Sequence, residues 1–293
     1  MVSVYDIINY RYDSLGRSPC MNIGTEYSLR YSYKYKTISE VVQNPSTCNY
    51  GFNFDPIGNH VTSTTSESGT PVQTSYTANS LNQYSLINDG AAKTPAYDFD
   101  GNMTGDGSGW AYSWDAENRL LVAEKTGQRL EFKYDYGSRR VEKKVIDGGI
   151  VRKCERFVYN GFKQIERLNA LDSNSIFQKF IWRSERMLSM TDSNGIYYYG
   201  QDANKNASEL IYADGTLKAH YEYSPFGNTT VANGDLAGDN PFRFSSEFMD
   251  DETGLAYYNF RYYNPKLGRW LSRDPIGNKK AETIFMQWSS TTQ

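Results

Sequence analysis

The stretch Tyr112-Ser113-Trp114-Asp115-Ala116-Glu117-Asn118-Arg119-Leu120 carries the clearest folding signal in this chain of 293 residues. Tyr112 and Trp114 are two positions apart, so in a β-strand both side chains point to the same face. Asp115 can then accept hydrogen bonds from the N–H groups of a following turn. The residues after Arg119 begin a return strand. The stretch therefore predicts a β-hairpin with one aromatic face.

The same pattern recurs through the first half of the chain. Further copies lie at residues 10–17, 52–59, 76–84, 97–102, 132–139 and 157–161. The residues predicted to form the repeat turns are Tyr12, Asp13, Gly16, Tyr97, Asp100, Gly101, Asn102, Tyr112, Asp115, Asn118, Arg119, Tyr134 and Asp135. One hairpin cannot bury its aromatic face alone, so neighbouring hairpins must pair edge to edge in a continuous sheet. Because the carboxylate recurs, we expect it to form turns rather than to catalyse a reaction.

The composition favours the same all-β architecture. The chain has 25 tyrosines and 24 glycines but is only 39% hydrophobic, which suits turn-rich sheets with one solvated face. A net charge of −3 without a clustered basic face predicts no nucleic-acid partner. Cys20, Cys48 and Cys154 are widely spaced, and His60 and His220 are the two histidines. We therefore predict no disulfide framework, no metal site and no cofactor.

The first residues lack the basic and apolar regions of a signal peptide. No stretch approaches the ~20 apolar residues that a membrane helix requires, so no membrane span is predicted. The expected location is outside the cell or on its surface if the chain is part of a longer parent protein. It is the cytoplasm if the chain is made as written.

The pattern changes after about Phe177, and residues 221–277 are dense in turn signals. The motif residues of this C-terminal module are Tyr223, Pro225, Phe226, Gly227, Arg261, Tyr262, Tyr263, Gly268, Arg269, Asp274, Pro275 and Gly277. Ser-Pro-Phe-Gly at 224–227 and Asp-Pro-Ile-Gly at 274–277 predict turns. Residues 255–263 place aromatic residues on both parities, which predicts one strand buried on both faces.

The repeats resemble the YD repeats of bacterial RHS proteins, of ABC-toxin C components and of animal teneurins. Residues 221–277 are similar to the RHS repeat-associated core domain. The resemblance implies antiparallel hairpins in a spiralling sheet or partial shell, with the C-terminal module packed against it. We expect YD repeats at residues 1–165, an incomplete core module at 166–277 and an unrelated or disordered tail at 278–293.

The resemblance also implies a self-cleavage reaction, in which two carboxylates that share a proton activate water and protonate the leaving group. Arg261 and Asp274 match the family's arginine and first aspartate. The second Asp-Pro-x-Gly motif and the Asn-x-Tyr segment before it are missing, and one carboxylate cannot form a dyad. We therefore expect no enzymatic activity. Arg261 and Asp274 are expected to be a strand arginine and a turn aspartate that pair with each other.

The function implied first is structural. The chain would be the terminal part of a YD-repeat shell that, in full-length relatives, encapsulates and presents a C-terminal toxin or mediates surface contact. Its partners would be the remainder of the shell or a toxin cargo. The first alternative is a carbohydrate-binding or adhesion module that uses Trp110 or Trp114 to stack on glycans. The second alternative is an aspartyl autoprotease.

Overall fold

The computed structural model describes residues 8–11, 20–23, 27–34, 37–44, 49–66 and 70–274. The described chain is almost entirely β-strand, as the sequence predicts. Its strands are β1 (Ile8–Arg11), β2 (Cys20–Ile23), β3 (Tyr27–Lys34), β4 (Thr37–Asn44), β5 (Asn49–Phe54), β6 (His60–Ser66), β7 (Val72–Ala78), β8 (Tyr84–Asn88), β9 (Ala92–Lys93), β10 (Ala96–Tyr97), β11 (Met103–Gly105), β12 (Ala111–Trp114), β13 (Leu120–Lys125), β14 (Gln128–Tyr134), β15 (Arg140–Asp147), β16 (Ile150–Asn160), β17 (Lys163–Asn169), β18 (Ser175–Arg183), β19 (Arg186–Asp192), β20 (Gly195–Gln201), β21 (Ala207–Tyr212), β22 (Leu217–Tyr223), β23 (Thr229–Asn233), β24 (Phe248–Asp250), β25 (Leu255–Tyr258), β26 (Arg261–Asn264) and β27 (Arg269–Trp270). One turn of 3-10 helix lies at Phe244–Ser246.

The described strands form three sheets in which neighbours in the sequence are neighbours in space. The first sheet runs from β1 to β9, the second from β10 to β23 and the third from β24 to β27. The pairs from β12 to β23 are antiparallel, as are those within the third sheet. Short connections between antiparallel neighbours require a hairpin at each step, so the fold is the hairpin series that the repeats predict.

Contacts divide the chain into two compact units. The first comprises residues 1–96 and 105–110, and the second comprises residues 97–104 and 111–293. In the first unit, Tyr50, Phe52, Tyr84 and Ile87 are buried. The ring of Phe52 lies 5.5 Å from that of His60. An aromatic cluster is therefore the core of the described part of this unit.

In the second unit, the short third sheet packs on one face of the long sheet, which is called the inner face below. Phe157 of β16 meets Phe248 of β24 edge-on at 5.5 Å. Phe132 of β14 lies 5.5 Å from Tyr262 of β26. The C-terminal module therefore covers the aromatic face that the hairpins cannot bury by themselves. This packing agrees with the prediction for the module.

Residues 255–263 are a hairpin, so the prediction of one continuous strand is wrong. β25 and β26 pair with Tyr258 opposite Arg261, and Asn259 turns the chain with φ of 57°. Asparagine tolerates this left-handed conformation better than most residues do. Leu255, Ala256 and Tyr257 are consecutive and all buried, so β25 itself is covered on both faces as predicted. The turn at 259–260 then places Tyr262 opposite Tyr257, which is why aromatic residues occur on both parities.

The predicted division at residue 165 falls inside β17, and β16, β17 and β18 are paired without interruption. The division into repeats and core module stays a prediction. The expectation for residues 278–293 lies outside the described residues.

Candidate functional site: the repeat turns and a buried ion cluster

The carboxylate of Asp115 closes the turn between β12 and β13. Its Oδ1 accepts the N–H groups of Glu117 and Arg119, both at 2.9 Å. Its Oδ2 accepts the guanidinium Nε–H of Arg119 at 2.7 Å. The N–H of Asn118 donates to the carbonyl of Asp115 at 3.0 Å, and Asn118 has φ of 59°. This is a three-residue hairpin loop with a left-handed third residue, and the aspartate satisfies its inward-pointing N–H groups.

Other turns use the same arrangement with related residues. The carboxylate or amide oxygen comes from Asp55, Asn79, Asp98, Asp106, Asp135 and Asp202. Burial would raise the pKa of Asp135, but hydrogen bonds from Arg139 and from the N–H of Gly137 outweigh it and hold the pKa below its ordinary value. These carboxylates serve the turn in which they lie. They are not brought together into a shared site.

In the repeat at 97–102, the turn carboxylate is Asp98 and not the predicted Asp100. Oδ1 of Asp98 accepts the N–H of Asn102 at 2.8 Å, and Oδ2 accepts its side-chain amide at 2.9 Å. Asp100 lies in the exposed loop, beside Gly101 with φ of 85°. The alternating Tyr-Asp-Phe-Asp sequence fits the motif in two registers two residues apart. The spacing from aspartate to Asn102, four residues on, selects the first register.

A β-bulge follows these turns. Tyr134 pairs with Arg140 while Lys133 pairs with Glu142, so Val141 is the extra residue. Likewise Trp114 pairs with Leu120 while Ser113 pairs with Val122. A bulge redirects the side chains that follow it. Because of the bulge at Val141, Arg140 and Lys143 both reach the inner face.

The two described turns that end in arginine are also bonded to the next hairpin. The guanidinium of Arg119 donates to the carbonyl of Asp135 at 3.3 Å and lies 5.3 Å from the ring centre of Tyr134. Arg139 in turn donates to the carbonyl of Gly161 at 2.7 Å and stacks on Tyr159. In these two repeats, the arginine that ends the motif therefore fixes the next hairpin through a hydrogen bond and a cation–π contact.

The aromatic residue before the turn donates a hydrogen bond back to the preceding hairpin. The hydroxyl of Tyr134 donates to the carbonyl of Leu120 at 2.8 Å, and that of Tyr159 donates to the carbonyl of Arg140 at 2.8 Å. The indole N–H of Trp114 donates to the carbonyl of Met103 at 2.8 Å. A tyrosine or tryptophan is suited to this position because its ring is apolar and its tip is polar.

The C-terminal motif begins with one more turn of this kind. The hydroxyl of Ser224 accepts the N–H of Asn228 at 3.1 Å, and Tyr223 donates to the carbonyl of Ala207 at 2.6 Å. Gly227 has φ of 88°, and the ring of Phe244 lies where a Cβ would be. Tyr263 donates to the carbonyl of Phe226 at 3.0 Å. The module thus bonds to the last repeat turn with one of its own tyrosines.

A buried ion cluster joins the module to the repeats. Arg140 of β15 and Asp250 of β24 are both 0% exposed and form an ion pair. Lys143 donates to Asp250 at 2.7 Å and to Glu252 at 2.6 Å. Burial would raise the pKa of Asp250, but Arg140 and Lys143 outweigh it and lower that pKa. The N–H of Arg140 donates to the hydroxyl of Tyr257 at 2.7 Å.

Aromatic rings enclose the rest of the Arg140 guanidinium. Its carbon lies 4.4 Å from the ring centre of Tyr257 and 4.6 Å from that of Phe248. Nε and Nη2 have no hydrogen-bond acceptor among the described residues, so ring faces take the place of acceptors for this charge. β24, β25 and β26 all contribute to the cage. The sequence analysis did not predict this cluster. A signal was present, because Arg139 ends the repeat motif and a second arginine, Arg140, follows it directly.

Arg261 and Asp274 form an ion pair at the surface of the C-terminal module. Nη2 of Arg261 lies 3.2 Å from Oδ2 of Asp274, and the guanidinium lies 4.1 Å from the ring centre of Trp270. Burial lowers the pKa of Arg261, and Asp274 opposes that shift. Gly268 has φ of 62° in the turn that leads to Arg269 and β27.

The remaining predicted positions differ in what the structure describes. Tyr97 and Tyr112 belong to β10 and β12, and Tyr112 is buried. Tyr12, Asp13, Gly16, Pro275 and Gly277 lie outside the described residues. In the part of the chain that is described, no helix has the length and apolar character to cross a membrane. Within the same part, no three His, Cys, Asp or Glu side chains are grouped as metal ligands would be.

An antiparallel series of hairpins with aspartate-closed loops, capped by a short sheet, defines the class of YD-repeat proteins. The family model described as the teneurin YD-shell matches residues 4–287. The chain belongs to this family, which includes the RHS and toxin-complex proteins that it resembles.

Known relatives are much longer than this chain. The tRNA3(Ser)-specific nuclease WapA of Bacillus spizizenii is 30% identical over 242 residues, which is 80% of this chain and 10% of that protein. The toxin subunit YenC1 of Yersinia entomophaga is 26% identical across 94% of this chain and 31% of its own length. The crystal structure of TcdB2-TccC3-TEV aligns with 94% of this chain and 18% of that one, at 18% identity and a TM-score of 0.48.

Proposed function

We propose that this chain is a wall segment of a YD-repeat shell, that its C-terminal module closes the wall, and that the assembled shell encloses or presents a toxin cargo. A structural role for the chain follows from its family. The cargo is proposed because relatives are named as nucleases and toxin subunits. We propose no catalytic role for the chain itself.

The buried ion cluster supports this proposal best. A wall must hold its capping module firmly, and Arg140, Asp250 and Lys143 join the two sheets where no water competes. Removing one partner of such a cluster leaves an uncompensated buried charge. The module is therefore bound as an integral part of the wall.

Protease protection in the full-length parent protein tests the proposal. We expect the C-terminal cargo to resist digestion in the parent, and Asp250→Ala to expose it. Lys218→Ala, which removes an exposed pair with Asp235, is the matched control and should leave the protection intact. Equal digestion of cargo in the parent and in the Asp250→Ala variant would count against the proposal.

The autoprotease alternative is tested separately by intact mass. Arg261 and Asp274 contact each other, but a protease dyad requires two carboxylates that share a proton. We expect a single species of about 33.5 kDa, unchanged by Asp274→Asn. A shorter product that disappears in Asp274→Asn would restore the enzymatic alternative.

A further inference from the structure

A small cleft with a volume of about 50 Å³ opens in the second unit, between the tips of two hairpins and the start of the C-terminal module. Its walls come from the β16–β17 hairpin, the β18–β19 hairpin and the segment at 242–248. It lies apart from the pair of Arg261 and Asp274, and none of the predicted site residues lines it.

Two turns that line the cleft are one residue shorter than the aspartate-closed turns. Tyr134 pairs with Arg140 across five intervening residues. Tyr159 pairs with Gln164 across four, and Trp182 pairs with Met187 across four. Shorter loops leave room at the tips of these hairpins. The position that holds Arg140 in one repeat is occupied by Gln164 in the next and by Met187 in the one after.

Gln164 places an unused hydrogen-bond donor in the cleft. Its side chain is only 4% exposed, and Nε2 has no acceptor among the described residues. Leaving a buried amide donor without an acceptor destabilises the folded state. Met187 shows that this position of the repeat accepts an apolar side chain, so the fold does not require the amide.

Glu247 places an unused carboxyl group in the same cleft. No hydrogen bond or ion pair to this carboxyl occurs among the described residues. Burial raises the pKa of Glu247 to about 8, so the group is mostly uncharged at neutral pH. Lys163 is in contact with Glu185. The cleft therefore offers hydrogen-bonding groups without a strong net charge.

The aromatic rings of the cleft are already occupied, which disfavours sugar stacking. The ammonium of Lys163 lies 5.0 Å from the ring centre of Trp182, and Phe242 meets the same indole edge-on at 5.2 Å. Phe162 at the rim lies 5.1 Å from Phe260, and both are about half exposed. Exposed paired aromatics beside a small polar recess are typical of a protein contact.

We propose that this cleft binds the primary carboxamide of an asparagine or glutamine side chain from a protein partner. The carboxamide oxygen would accept the Nε2–H of Gln164, and its NH2 group would donate to the carboxyl oxygen of Glu247. A primary carboxamide supplies one acceptor and two donors in a single uncharged group. Because Gln164 is buried, the end of a side chain reaches it more readily than a continuous backbone does.

NMR of the whole chain with 15N-labelled tryptophan tests the proposal. The indole N–H of Trp182 donates to the carbonyl of Gln164 at 2.7 Å, so its signal reports on the cleft. We expect N-acetylglutamine methylamide to shift this signal saturably and to leave that of Trp114 in place. N-acetylmethionine methylamide, which has a side chain of similar length without the amide, should cause no shift.

Gln164→Met is the decisive variant. We expect it to weaken binding by about tenfold or more and to raise stability, because the buried donor is removed. A purely structural glutamine would instead be needed for stability. Glu247→Leu is the second variant and should also lose binding. Unchanged titration in both variants would overturn the proposal, as would a Trp182 signal that responds to monosaccharides and not to the glutamine probe.

Discussion

Arg140 carries a charge into a place that water does not reach. Moving an ion out of water costs several kcal/mol even after the protein relaxes. Asp250, the hydroxyl of Tyr262 at 3.1 Å and the surrounding rings offset that cost. The result is an interaction with strict geometry, since an acceptor or a ring must be present on every side. Such a residue specifies one docking position of the module rather than a general attraction.

Arg140→Met should destabilise the chain by about 3–5 kcal/mol, because Asp250 loses its main counter-charge while it stays buried. The double variant Arg140→Met/Asp250→Leu should lose less free energy of unfolding than the sum of the losses in the two single variants. Chemical unfolding followed by tryptophan fluorescence measures this difference. Lys218→Met, in an exposed pair, should change stability by less than about 1 kcal/mol. Strict additivity of Arg140→Met and Asp250→Leu would show that the two residues are not coupled.

His220 should make the stability of the chain decrease with pH in the neutral to alkaline range. Hydrogen bonds to Glu209 and Glu222 raise its pKa from 6.5 to about 9, although burial opposes them. The protonated form is therefore favoured by folding, and its contribution is complete below pH 6.5 and lost as the pH rises to 9. We expect the melting temperature to fall across this window and His220→Asn to flatten the fall. A histidine NMR titration with a midpoint near 6.5 would contradict this prediction.

At the scale of the hairpin, the loop aspartate is the element that fixes the turn. Asp98→Ala should lower the free energy of unfolding by about 1–3 kcal/mol, because it removes the acceptor of the backbone N–H of the buried Asn102 and one of the two acceptors of its side-chain amide, which keeps Asn118. Asp100→Ala changes the same residue type in the same loop. We expect this variant to change the free energy of unfolding by less than about 0.5 kcal/mol, as surface substitutions usually do. Thermal unfolding of the two variants separates them, and a larger loss in Asp100→Ala would restore the original register.

The hairpin and its turn could be predicted from the sequence because the interactions that form them are local. Aromatic spacing, the aspartate and the glycine or asparagine three residues later act within one hairpin, so a short pattern contains them. The contacts of Arg119 with Asp135 and of Tyr134 with Leu120 bridge neighbouring repeats. A single copy of the pattern does not reveal them. The pairing of neighbouring strands shows what the terminal arginine does in the repeats that have one.

At the scale of the molecule, the pairing of Arg140 with Asp250 spans 110 residues. No local pattern predicts a partner at that separation, and the bulge at Val141 that turns Lys143 inward is equally hidden. The cleft was missed for the same reason, because its walls come from distant segments. By contrast, Arg261 and Asp274 lie within one motif, so the sequence alone suggests them as partners.

The two units should differ in how well their amides are protected from exchange. β15 has several buried residues beneath the module, among them Arg140, Lys143 and Val145, whereas β7 has no buried residue. Local openings are easier where few apolar contacts hold a strand. We expect peptides from β14 to β16 to exchange more slowly than those from β7 and β8, as measured by hydrogen–deuterium exchange with mass spectrometry. Equal rates would indicate that the module adds no protection.

The bonds between successive turns give the array a direction. Arg119 and Arg139 each reach forward to a carbonyl in the following hairpin, and Tyr134 and Tyr159 each reach back to the one before. When a new hairpin leaves the ribosome, the hairpin before it already presents two partners. These are the arginine that bonds to a carbonyl of the new hairpin and the carbonyl that accepts the new hairpin's tyrosine hydroxyl. Growth of the sheet can then follow translation, one hairpin at a time, until Tyr263 bonds to the turn at Phe226 and ends the series.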